Sequence, residues 1–248
     1  MYYIIENSKQ NEPEKDLFID NIRNLDYLVE YDTMSYDKLS HKLNSNTKSR
    51  YSEAIPVGTI PFVSLWLKTF HNKNMTPIEV PPILRTEEFL KRDYKVITKD
   101  QIPKTGRYFL KCVDGLKTGS IIGRMDNIDV FDLSNKNLFV LSEYIPITTE
   151  YRVYVVDNEI ANICCYCGYV GLYPDYALIT KAVQLLKQSG DMPKSYTLDV
   201  GVNNNGTFVL EVHAFASIGI YTTLINDLPF AYSQGIDWYI HNNYNIKG

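Results

Sequence analysis

The stretch 199-DVGVNNNGTFVLEVH-213 decides the fold: two apolar runs meet across Asn-Asn-Asn-Gly. The runs 196-YTLDVGV-202 and 207-TFVLEVH-213 have strand composition, and 203-NNNG-206 has the chemistry of a tight hairpin turn. Antiparallel pairing then brings Asp199 and Glu211 close together on one face. Two carboxylates embedded in apolar strands are costly unless a cation or a shared proton compensates. Hard oxygen ligands of this kind suit Mg2+, above all beside a triphosphate. His213 shares the face of Glu211 and can serve as a ligand, a phosphate contact or a hydrogen-bonding neighbour of a metal.

Upstream, 141-LSEYIPITTEYRVYV-155 reads as a strand, a crossing loop and a second strand. Glu143 ends the first, and Glu150 follows seven residues later. Arg152 points inward if Val153 and Val155 face the other way. Such a crossing offers backbone groups to an adenine edge and carboxylates to amino or ribose hydroxyl groups. Spacing alone is equally served by a surface Glu150–Arg152 ion pair of little energetic weight. Further upstream, 107-RYFLKCVDGLKTGS-120 places Lys111 near the end of a strand, before a turn containing Lys117, Thr118, Gly119 and Ser120. Backbone N–H groups of such a turn can cover phosphates, with the lysines as cationic ends. The turn lacks Walker A spacing, and a plain hairpin with solvated lysines has the same pattern.

Around this core, 159-EIANICCYCGYV-170 is a strand, joined to 151-YRVYVVD-157 by a tight Asp157-Asn158 turn. Residues 175-DYALITKAVQLLKQSG-190 are an amphipathic helix with Gly190 as C-cap, and a last helix is expected near Gly235 to Asn242. The N-terminal part reads as a strand at Tyr2 to Glu6, a helix from about Pro13 and a second strand at Leu28 and Val29. A polar connection follows over 44–53, then a helix presenting Phe62, Leu65, Trp66 and Phe70, and an extended linker marked by Pro77, Pro81 and Pro82. The pattern predicts an α+β chain in two or three lobes. We divide it as 1–82, 83–142 and 143–248.

The 248 residues carry 25 Lys+Arg against 29 Asp+Glu, a net charge of −4 that argues against duplex nucleic acid held by phosphate neutralisation. No apolar run approaches the ~20 residues of a membrane span. No secretory signal is visible at the N-terminus, and four cysteines are too few for a disulfide scaffold of this size, so a reducing cytoplasm is the expected compartment. Cys164, Cys165 and Cys167 crowd one strand without a second Cys or His pair at zinc spacing, and they are expected as buried strand residues. The 20 tyrosines follow a general Asn, Lys, Ile and Tyr bias and by themselves predict no stacking surface.

In chain order, the Lys111 strand, the Gly-rich turn, the Glu143–Glu150 segment, the Asp199 strand and the Glu211 strand resemble the ATP-grasp superfamily over residues 60–248. The segment 209-VLEVHAFASIGIYTT-223 is similar to that family's metal-ligand strand and following Gly-containing loop. Segments 56-PVGTI-60, 107-RYFLKC-112, 150-EYRVYV-155 and 219-GIY-221 resemble the clade named for its arginine and two lysines, which includes phage and bacterial conflict-associated ligases.

The resemblance implies an ATP-grasp fold, two lobes gripping ATP, behind a short N-terminal α/β segment. It implies Lys111 on the α/β-phosphates, with Lys117, Thr118, Gly119 and Ser120 as the flap. Glu143 with the Tyr144 and Ile145 backbone would meet adenine, and Glu150 the ribose. Asp199 and Glu211 would hold Mg2+, with Mn2+ as the alternative ion, and Arg152 would face the transferred phosphoryl group or acyl phosphate. Two positions depart from the family. His213 replaces the usual Asn, and Thr197 replaces an arginine two residues before the aspartate, a charge Arg152 can restore from the neighbouring strand. Lys68 and Lys95 are the candidates for the family's upstream lysine. The expected activity is ADP-forming ligation of a small-molecule or peptide carboxylate to an amine or thiol, with a homodimer left open. The alternative is a non-catalytic ATP-binding module with a degraded metal site.

Overall fold

The structure is a computed structural model and describes residues 1–9, 12–43, 48–113, 120–124, 137–222, 225, 227–242 and 244. The first part is a parallel sheet in the order β2-β1-β3, made by β1 (Tyr2–Glu6), β2 (Glu30–Met34) and β3 (Ile55–Val57). Its helices are α1 (Glu12–Arg23), α2 (Tyr36–Leu43) and α3 (Ile60–His71). Pro61 fits the first turn of α3, where an N–H would go unused, and the helix stops at Asn72 in the left-handed region (φ 53°).

A short helix α4 (Glu87–Leu90) leads to the second sheet, β4-β7-β5-β6. It comprises β4 (Tyr94–Thr98), β5 (Arg107–Cys112), β6 (Ser120–Arg124) and β7 (Leu138–Glu143), all antiparallel. The third sheet has the order β11-β10-β8-β9, from β8 (Thr149–Val156), β9 (Glu159–Gly168), β10 (Tyr196–Asn203) and β11 (Gly206–Ala214). Helix α5 (Tyr176–Ser189) separates the two hairpins of this sheet in the chain, and α6 (Leu228–His241) follows it.

Local chemistry accounts for the turns. Asp157 and Asn158 both take positive φ (48° and 65°), as a type I′ hairpin between β8 and β9 requires. Asp175 caps α5 by accepting from the Ala177 and Leu178 N–H groups, and Gly190 ends it at φ 70°. β10 is buried along its whole length, which explains its run of β-branched and apolar residues. One core joins the N-terminal helices to the third sheet, with Phe62, Trp66 and Ile78 packed in the same cluster as Val153, Leu198 and Val209. Helix α6 approaches the chain after β11 so closely that a Cβ at Gly235 would fall 2.2 Å from the Phe215 carbonyl oxygen. That contact requires glycine, and it fixes the loop beyond β11.

Several expectations shift. The second strand begins at Glu30, leaving Leu28 at 84% exposure, because pairing with β1 rather than apolarity sets its register. Helix α2 has only Leu39 and Leu43 buried, too few to write a periodic signal. α4 and β4 were not foreseen, and the last helix starts at Leu228 rather than near Gly235. The cysteines lie on β9 but are half-buried at Cys164 and Cys165 and exposed at Cys167, because β9 is the outer strand of its sheet.

Candidate active site

The β10–β11 hairpin sets Asp199 directly opposite Glu211, beside a bulge between Asp199 and Val200. Asp199, Glu211 and His213 each present a ligand atom within 4.8 Å of the others, the grouping of this kind found among the described residues. The two carboxylates fit a hard cation such as Mg2+. Imidazole suits Mg2+ less well, and His213 Nε2 stands 2.6 Å from Glu211 Oε1, which fits it to orient that carboxylate.

Strand β8 lies on the other side of β10 and brings Arg152 into register with Asp199. The guanidinium grips that carboxylate twice, Nε to Oδ1 at 2.8 Å and Nη2 to Oδ2 at 2.7 Å, and Nη1 donates to the Gly219 carbonyl at 2.9 Å. Arg152 is buried, so the surface Glu150–Arg152 pairing does not form. Burial alone would lower the Arg152 pKa, but the hydrogen bonds and charge of Asp199 outweigh it and raise the value above normal. Tyr154 ties down the same loop by donating to the Gly219 carbonyl at 3.2 Å and accepting from the Tyr221 N–H at 2.8 Å.

Lys111 reaches the site from the second sheet. Its ammonium donates to Glu79 Oε2 at 2.8 Å, lies 2.7 Å from Glu79 Oε1, and contacts Glu211 Oε2. Burial opposes the lysine charge, while Glu211 and Glu79 raise its pKa above the ordinary value. Burial pushes the Glu79 carboxyl up, against the pull of Lys111.

Lys111, Glu143, Tyr144, Ile145, Glu150, Asp199 and Glu211 all line one cleft of about 650 Å3 between the second and third sheets, a size typical of small-molecule sites. Glu150 accepts from the Tyr166 hydroxyl at 2.5 Å. Arg152 and His213 instead face a smaller adjoining pocket of about 170 Å3, bounded by Pro77, Ser217 and Tyr221. Lys117, Thr118 and Gly119 lie outside the described residues, and of Ser120 only the backbone is described, pairing with Lys111 at the start of β6. Lys68 and Lys95 are exposed and do not line the cleft. Arg92 does, held by Ser142 Oγ and the Leu90 and Val209 carbonyls, with its pKa lowered to about 10 by burial.

Sequence reasoning did not single out Glu79, Arg92, Tyr166 or Tyr221. Tyr166 and Tyr221 stack at 5.1 Å with an interplanar angle of 13°, and the Arg152 guanidinium lies within 5.4 and 5.1 Å of their centroids. Nothing in the linear pattern separates Tyr166 from the other tyrosines, while Tyr221 ends the clade-like segment 219-GIY-221 without any sign there of its partner. Glu79 sits among apolar linker residues, Ile78 and Val80, and that contrast is the one signal that could have found it.

The profile of the ATP-grasp domain, family 2 of the clade named for its arginine and two lysines, matches residues 89–228. No curated protein matches the chain. Among solved structures, the ADP complex of N5-carboxyaminoimidazole ribonucleotide synthetase is 12% identical with a TM-score of 0.56, over 89% of this chain and 70% of that one. D-alanine–D-alanine ligase from Helicobacter pylori is 9% identical with a TM-score of 0.52, over 96% and 98%. D-cycloserine synthetase is 12% identical at 0.50, over 95% and 98%. At such identities the likeness concerns the fold, and it agrees with the profile that spans more than half of the chain. With its α+β sheets around a cleft and this profile over its centre, the chain belongs to the ATP-grasp domain proteins, in the arginine-and-two-lysines clade.

Proposed function

We propose that the protein is an ADP-forming ligase that joins a small-molecule or peptide carboxylate to an amine or thiol. The observation that carries this reading is the meeting of Lys111, Asp199 and Glu211 in one cleft, although the lysine and the carboxylates come from different sheets. ATP lies along the cleft, with the Tyr144 and Ile145 backbone and Glu143 at adenine and Glu150 at the ribose. Lys111 binds the phosphates, and Lys117, Thr118, Gly119 and Ser120 close over them. Asp199 and Glu211 would hold Mg2+, or Mn2+ in its place, which when bound neutralises triphosphate charge.

A substrate carboxylate oxygen attacks the γ-phosphorus and ADP leaves, giving an acyl phosphate. The nucleophile then attacks the acyl carbon and releases phosphate and a proton. Lys111 and Arg152 stabilise the charge that develops, Arg152 from the side of the smaller pocket. No side-chain nucleophile is needed. In this reading the lobes divide as 1–82, 83–142 and 143–248, and the protein works in the cytoplasm.

The test is release of ADP and phosphate on incubation with Mg·ATP and panels of amino acids and short peptides. Acceptor-dependent ADP and phosphate are expected, and AMP with pyrophosphate would remove the mechanism. A second reading, a non-catalytic ATP-binding module, is favoured by one observation: His213 stands against Glu211 where the family usually has an amide. It predicts thermal stabilisation by Mg·ATP without turnover on any panel.

A further inference from the structure

Glu79 is a buried carboxylate on the linker ahead of the matched residues 89–228. It is 2% exposed, flanked by Ile78 and Val80 at 0%. Its backbone is in the left-handed region (φ 59°), rare for a side chain of this length and retained only where surroundings enforce it. Those surroundings are explicit. The Glu79 carbonyl accepts from the Val212 N–H at 2.6 Å in an isolated antiparallel bridge to β11. On either side, Tyr239 donates to the Thr76 carbonyl at 2.9 Å and Arg85 to the Val80 carbonyl at 3.0 Å. The linker is thus pinned to the metal-ligand strand, with one carboxylate aimed at Lys111.

The geometry has an electrostatic consequence. The Lys111 ammonium is shared between Glu79 and Glu211, and Glu211 is also one of the two carboxylates suited to a divalent cation. An ammonium and a metal ion on one carboxylate oppose each other. A second, buried acidic partner draws the ammonium toward the linker and weakens its hold on Glu211. Because an ammonium has three N–H donors, it can keep Glu79 while exchanging Glu211 for a phosphate oxygen. A carboxylate this deep would be costly without that partner.

We propose that Glu79 is a positioning residue for Lys111: it anchors the ammonium at the edge of the cleft and leaves Glu211 available to a divalent cation when nucleotide enters. The inference rests on the reading of the cleft as a magnesium–nucleotide site. Glu79→Gln keeps shape and one acceptor but removes the charge, so Lys111 retains Glu211 as its acidic partner among the described residues. Metal must then compete harder.

The experiment titrates MgCl2 against the full chain at fixed fluorescent N-methylanthraniloyl-ADP and reads the Mg2+ concentration at half-maximal binding, with melting temperatures measured alongside. Glu79→Gln is expected to raise that midpoint about tenfold, within the usual range of coupling between two sites. Glu79→Asp, which keeps the charge, is expected to recover most of the loss. In a Lys111→Met background the Glu79→Gln shift should vanish. A purely structural role would lower the melting temperature and leave the midpoint in place, and that result overturns the proposal. So does a shift of equal size in the Lys111→Met background. If the unaltered chain binds no Mg·nucleotide, the reading of the cleft itself falls. If it binds and Glu79→Gln matches it, only the role of Glu79 falls.

Discussion

Arg152 and Asp199 are cross-strand partners on β8 and β10, and their side chains close a doubly hydrogen-bonded ion pair at 2.8 and 2.7 Å in the interior of the sheet. The pair supplies from the neighbouring strand a positive charge that Thr197 cannot give from the same strand. It also fixes the orientation of the Asp199 carboxylate, since both of its oxygens accept from the guanidinium. Removing one partner leaves the other buried and uncompensated. Arg152→Met is therefore expected to cost about 3–5 kcal/mol of stability. Arg152→Lys should recover only part, because an ammonium cannot reproduce the planar two-bond grip. Urea unfolding of the two variants checks this, and equal stabilities for Arg152→Lys and the unaltered chain would refute it.

Glu150 carries the second prediction. Its carboxylate lines the cleft and is held by the Tyr166 hydroxyl. If it receives the ribose hydroxyls, Glu150→Gln should weaken Mg·ADP about tenfold, the scale of a lost charged hydrogen bond. The same change should leave Mg·dideoxy-ADP binding unaltered, since that ligand has no hydroxyl to donate. Calorimetry with the two nucleotides separates a ribose contact from a general loss of affinity.

The third concerns Tyr154, whose pKa is pushed up to about 12, first by burial and against the opposing Tyr221 N–H and Arg152. An acid with a raised folded-state pKa favours the folded, protonated form. Its contribution is complete below the unfolded value near 10 and is lost as pH rises through the folded value. Stability should therefore fall between about pH 10 and 12, and Tyr154→Phe should make that fall shallower. At neutral pH the same variant should cost about 1–2 kcal/mol, since the Gly219 carbonyl and Tyr221 N–H lose their hydroxyl partner. Melting curves across pH read both effects.

His213 gives the fourth. Its Nε2 stands against Oε1 of Glu211, a member of the grouping that could hold a metal ion. His213→Asn replaces the ring with an amide oxygen, a harder ligand. The Mg2+ concentration needed for half-maximal nucleotide binding should drop about fivefold. An unchanged requirement would show that the imidazole does not hinder the metal site, and a higher one that it assists it.

Legibility in the sequence followed the range of each interaction. The Asp199–Glu211 juxtaposition was readable because a short turn fixes register over a few residues, and the end of α5 was readable from Gly190. The inward aim of Arg152 followed from strand alternation, but its partner did not, since β8 and β10 are separated by β9 and α5. Glu79 was missed for the same reason: its role exists only once the linker bridges to β11 and β5 brings Lys111 across. Tyr166 belongs to the compositional excess of tyrosine and becomes distinct only when stacked on Tyr221 beside Arg152. Lys68 and Lys95 are candidates only through the family resemblance, and both are exposed and do not line the cleft.

The most direct measurement is a crystal structure of the full chain with Mg2+ and a non-hydrolysable ATP analogue. The triphosphate is expected in the cleft between the second and third sheets, its oxygens on Lys111 Nζ and its metal on Asp199 and Glu211. A nucleotide bound elsewhere, or bound there with Lys111 still on Glu211 and no metal on either carboxylate, would contradict it.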